Sequence, residues 1–154
     1  MPADDGQGRM RWRDGACFIS QQFILRAPAL EPEWVLQRLD ANLMASTRAA
    51  GCGLLRWRGG DLMLGPLRIL SLGALEQRRC NGFAAARRVV LGGLAAHPGG
   101  ELNYALRPQG AELLLMAGLS GFRPRLPRWL FAVTQARLHR AAVRRAVRQL
   151  AGEI

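Results

Sequence analysis

The sequence predicts an α+β fold in which a strand and a helix lead into an antiparallel meander and a long helix closes the chain. Three observations carry this. Residues 16–26 alternate in polarity with a period of two. Residues 53–119 hold short apolar runs separated by Gly and Pro turns, with no crossover helix between them. Residues 128–151 contain neither Pro nor Gly and are apolar on one face only.

A length of 154 residues suits one domain, and 49% hydrophobic residues exclude wholesale disorder. No apolar run reaches the ~18 residues of a membrane helix. The polar start, with Asp4 and Asp5, is unlike a signal peptide. A soluble, cytoplasmic chain is expected, with residues 1–15 as a flexible tail and 16–151 as a single domain.

The elements follow in order. In the strand 16–26, Cys17, Ile19, Gln21, Phe23 and Leu25 share one face. Pro28 and Pro32 interrupt it. Pro32 suits a helix first turn, and Glu31 and Glu33 suit its positive end. Val35, Leu36, Leu39 and Leu43 form the apolar stripe of this helix, with Arg38 and Asp40 off it; the helix runs to about Ala50, as one piece or two, and stops at Gly51 and Gly53. In the meander, Leu55 and Trp57 face one way, and Leu70, Leu72 and Ala74 alternate with Ile69, Ser71 and Gly73. Residues 82–96 admit either helix or strand; Gly92-Gly93 favours a strand with a bulge or kink. Leu102, Tyr104 and Leu106 share a face of a strand that Pro108–Gly110 joins to Glu112–Leu119 as a hairpin. On the last helix, Ala132, Ala136, His139, Val143, Ala146, Val147 and Leu150 cluster, while Arg137, Arg140, Arg144 and Arg148 lie opposite, with Arg145 at the edge of that stripe.

The charge is concentrated. All 22 basic residues are Arg and none is Lys, which fits the codon bias of a GC-rich genome better than a functional demand. The surplus of +11 is another matter, because residues 113–152 hold eight Arg and no acid. Like charges four apart on a helix repel mildly. The stripe is therefore either a face that is solvated or paired within the chain, or a surface for an acidic partner, an anionic membrane or RNA. No aromatics interleave with it, so base stacking lacks support.

Catalytic signatures are missing. The glycine pairs match no phosphate loop, and no serine sits in a nucleophile elbow. Cys17, Cys52 and Cys80 lack metal spacing and read as buried free thiols; no metal or cofactor is expected.

The stretch ELNYALRPQGAELLLMAGLSGF, then RPRLPRWLF and TQARLHRAAVRRAVRQL, resembles the last hairpin and terminal helix of the START-like SRPBCC superfamily, and LRAPALEPEWVLQRLD resembles its first strand and helix. That superfamily has the helix-grip fold, shared with polyketide cyclases, and its sheet curls around the terminal helix to leave a ligand cavity. The resemblance covers residues 16–151. It implies binding of a hydrophobic small molecule or lipid, with Trp57, Tyr104, Gln135 and His139 as polar or aromatic liners and Ala136 and Val143 beside them. Core packing is the plain alternative for each. Arg123 and Arg125 would guard the mouth and attract an anion, or else lie in a solvated loop. Three functions stay open: a binding module, a cyclase- or dehydratase-like enzyme using His139 or Tyr104 as acid/base, and an interaction protein using the arginine stripe.

Overall fold

The computed structural model describes residues 3–4, 8–26, 31–50 and 52–154. It opens on two short strands, β1 (Ala3–Asp4) and β2 (Arg9–Arg13), which pair antiparallel with the two ends of β3 (Ala16–Arg26). Residues 9–13 were expected in a flexible tail. They form a strand instead, because Asp14 and Gly15 adopt positive φ (50° and 77°) and fold β2 tightly back onto β3. Residues 1–2 and 5–7 of that expected tail, Pro28 and Gly51 lie outside the described residues. The alternation in β3 is as expected: Cys17, Ile19, Gln21, Phe23 and Leu25 are buried, and Phe18, Ser20 and Gln22 exposed.

One helix, α1 (Pro32–Ala50), follows, with Val35, Leu36, Leu39 and Leu43 buried. Asp40, expected off the apolar stripe, is also buried, because α1 packs on two neighbours at once, the sheet and the last helix. The meander then runs through β4 (Leu55–Arg58), β5 (Asp61–Leu64), β6 (Leu67–Leu72), β7 (Glu76–Cys80), β8 (Phe83–Gly92), β9 (Ala96–His97), β10 (Glu101–Gln109) and β11 (Glu112–Pro124). The ambiguity over residues 82–96 resolves as strand. Asn81 and Gly82, both at positive φ, make the two-residue turn that pairs β7 with β8.

All pairings are antiparallel, and the main path of the sheet is β1-β3-β11-β10-β8-β6-β5-β4. Two irregularities shape the cavity side. Between β5 and β6 the register jumps, so that Ile69 is an extra residue and both Ile69 and Leu70 turn toward the interior. At the end of β8, Gly92 and Gly93 take φ of 121° and 134°, the kink expected there. A Cβ on Gly93 would lie 2.5 Å from the Ile69 carbonyl oxygen. Gly93→Ala is therefore expected to cost about 2 kcal/mol in chemical denaturation, combining backbone strain with a backbone clash; a cost near zero would show that this kink relaxes freely.

The C-terminal helix is not continuous. It divides at Thr134 into α2 (Arg128–Val133) and α3 (Gln135–Glu153). Thr134 leaves helical geometry (φ −115°, ψ −84°) while its hydroxyl bonds back to the Leu130 carbonyl, a competition that bends helices. The α+β class holds: a large open antiparallel sheet carries the long C-terminal helix against one face, an arrangement of the helix-grip type. Arg38 of α1 pairs with Glu153, tying α1 to the end of α3.

Candidate functional site

Between the helices and the β4–β6 end of the sheet lies an apolar cavity of about 150 Å³. Each wall follows from local sequence. Leu43, Met44 and Thr47 come from successive turns of one face of α1. The β5–β6 irregularity adds Ile69 and Leu70, and β4 adds Leu55 and Trp57. Phe131 of α2 closes one end, stacked on Phe122 at 5.6 Å between ring centroids and met edge-on by Trp12. Gln135, Leu138, His139 and Ala142 descend from α3, and Phe131, four residues before Gln135, lies on the same side.

Polar atoms are few on these walls, and three of them are orphans. Trp57 Nε1, Gln135 Oε1 and His139 Nε2 are each sealed from solvent with no hydrogen-bond partner among the described residues. All three residues line this cavity. A buried polar group left unpaired costs about 1–3 kcal/mol, so a molecule that pairs with any of the three gains from doing so. Burial, reinforced by the Arg140 cation, lowers the His139 imidazole to about 4. It is therefore neutral near pH 7, one nitrogen donating and the other accepting.

Tyr104 shares the interior face of β10 with Leu102 and Leu106, as expected, but does not line this cavity. Its hydroxyl donates to Asp40 Oδ1 at 3.0 Å, and burial together with the Asp40 carboxylate raises its pKa well above the phenol value. Asp40 also accepts Arg88 Nε at 3.0 and 3.1 Å and Nη2 at 2.7 Å, while Arg88 Nη1 donates to the Gly73 carbonyl at 2.8 Å. This closed network occupies the part of the sheet that α1 covers, which explains why Tyr104 is diverted from the cavity. Ala136 and Val143 are buried but also lie outside the lining, since the neighbouring helix positions Gln135, His139 and Ala142 face the cavity.

The charged expectations change as well. Neither Arg123 nor Arg125 lines the cavity. Arg125 Nε donates to the Gly93 and Ala96 carbonyls at 3.0 and 3.4 Å, so it holds a turn. The arginine stripe is not one solvent face. Arg137, Arg145 and Arg148 are exposed, but Arg140 and Arg144 are half-buried. The first strands cover that flank of α3: Gly8 and Gln21 pack beside Arg140. Cys17 is buried, its thiol pushed up to about 11 and so inert, whereas Cys52 and Cys80 are exposed. No cluster of metal-ligating side chains occurs among the described residues, and no helix among them is long and apolar enough to cross a membrane.

No protein-family model matches the chain, and no curated protein matches it. Solved structures similar to it include TTHA0849 from Thermus thermophilus, at 12% identity over 88% of this chain and 94% of that one, with a TM-score of 0.47. CalU16 from Micromonospora echinospora is similar at 14% identity over 99% of this chain and 92% of that one, with a TM-score of 0.33.

Proposed function

We propose that the chain binds a small, compact, mostly apolar molecule in this cavity, as a START-like binding module. The observation that carries the reading is the coincidence of an apolar cavity with three buried, unpartnered polar atoms on its wall. Apolar walls supply affinity, and a few polar groups supply orientation. The volume, about 150 Å³, is of the size that accepts one benzene ring. It falls below the ~300–1,000 Å³ of sites for larger ligands, which favours a small ring over a lipid. Chemistry narrows the class further. The Trp57 N–H seeks an acceptor and Gln135 Oε1 seeks a donor, and a single hydroxyl is both.

Catalysis gains less support. A general base works best with a pKa near the operating pH. His139, at about 4, is far below neutrality, and Tyr104 is committed to Asp40.

Calorimetric titration with phenol and with toluene tests the reading. Phenol is expected to bind about tenfold more tightly, the worth of one or two net hydrogen bonds. Gln135→Leu should remove part of the phenol preference, because the Trp57 N–H still donates to the hydroxyl, and should leave toluene binding unchanged. Ala142→Phe, which places a ring in the cavity from α3, should remove binding of both while leaving the protein folded. Failure of both probes to bind, or binding that survives Ala142→Phe, refutes the proposal.

A further inference from the structure

The elements that enclose the cavity carry a second feature on their outer sides. Leu64 and Leu67 flank the β5–β6 turn, Leu91 and Leu94 sit where β8 ends, and Trp129 and Val133 share one face of α2; all six are exposed, Trp129 at 70% and Leu91 at 57%. Leu91 is the unpaired residue where the β6–β8 register shifts, which turns its side chain out. Backbone bonds join these segments into one rim. The Leu94 N–H donates to the Arg68 carbonyl at 3.1 Å, the Ala95 N–H to Ile69 at 2.8 Å, and the Arg125 N–H to Ala95 at 3.0 Å. Grouped large apolar side chains in water are the informative exception on a protein surface.

The charges around this rim have one sign. Residues 62–75, 77–100 and 113–152 contain no acid at all. Arg68, Arg123, Arg125 and Arg128 are exposed on the same segments, and none of them pairs with a carboxylate among the described residues; Arg125 bonds only to backbone carbonyls, and Arg128 lies over the Trp12 ring at 5.1 Å. The arginines that do pair with carboxylates belong to other parts of the molecule, such as Arg87 with Glu76 and Glu101.

We infer that this rim docks the protein on an anionic lipid bilayer, with the Leu and Trp side chains entering the headgroup boundary and the arginines meeting lipid phosphates and carboxylates. Such a surface uses both halves of the feature at once. RNA would engage the arginines and leave the leucines in water. A second copy across a two-fold axis would press the arginines against their own equivalents. A bilayer presents anionic headgroups directly above hydrocarbon, and Trp is favoured at that boundary. With Ile69, Ala95 and Phe131 of the same segments on the cavity wall, the docking face would lie outside the cavity's own enclosure.

Vesicle co-sedimentation tests this without any cavity ligand. The full chain is expected to sediment with vesicles of phosphatidylcholine and phosphatidylserine and to remain in solution with phosphatidylcholine alone. Leu94→Ser should weaken the binding roughly tenfold. Arg68→Gln should weaken it roughly fivefold, and Arg148→Gln, on the far face of α3, clearly less. These are exposed positions, and unchanged thermal unfolding of each variant confirms that it is folded. Equal binding to both vesicles, binding to neither, equal losses for Arg68→Gln and Arg148→Gln, or dimerisation in solution that Leu94→Ser abolishes would each overturn the inference.

Discussion

Asp40→Ala is expected to destabilise the protein by about 3–5 kcal/mol, the usual consequence of removing one partner from a buried charge network. Asp40 is 4% exposed and satisfies two residues from two strands. Its loss leaves the Arg88 guanidinium without a counter-charge and the Tyr104 hydroxyl without an acceptor. Tyr104→Phe removes only one neutral donor and should cost about 1 kcal/mol. The pair is readable by chemical denaturation, and the double variant should cost less than the sum, because both changes act through one carboxylate. The effect should reach the cavity as well. Leu43, Met44 and Thr47 follow Asp40 by three, four and seven positions on α1, so loosening this helix moves a cavity wall. A loss below about 1 kcal/mol for Asp40→Ala would mean that solvent reaches the network and screens it.

That network also marks where reading the sequence stops. Period-two alternation was enough for β3 and for the β10–β11 hairpin, because each has one interior face and a tight turn. The burial of Asp40 depends on α1 having two neighbours, whereas its sequence shows only one apolar stripe. Alternation along β10 places Tyr104 on the interior face, yet whether that residue meets this cavity or a helix is decided by distant Asp40. Trp57, Gln135 and His139 were expected as liners only through the resemblance to a helix-grip fold, and the three do border this cavity. Asn81-Gly82 is a strong hairpin signal that an Ala-rich surrounding obscured. The extra residue at Ile69 had no local signal, because a register shift exists only relative to a partner strand. Likewise, Arg140 and Arg144 look identical to Arg137 and Arg148 in a helical projection. They differ only in that the first strands cover their flank.

His139 yields the second large effect, and it separates binding from acid–base chemistry. In the unfolded chain its imidazole titrates near 6.5, whereas burial and Arg140 hold it at about 4 in the fold. Between these values the unfolded state binds the extra proton, so stability rises with pH across the window. Its contribution is complete above pH about 6.5 and is lost as pH falls toward 4, a decline of about 3 kcal/mol. Denaturation midpoints measured at intervals over that range should follow this slope. His139→Leu should flatten it, which subtracts the carboxylates that titrate at the acid end. An unchanged slope in His139→Leu would show that the imidazole is solvated. The same protonation should govern the cavity. A neutral imidazole presents a constant hydrogen-bonding group from pH 8 to about 5, so phenol affinity should be level there and fall only toward 4. An acid–base role would instead produce a break near neutrality, where a working base must change its charge.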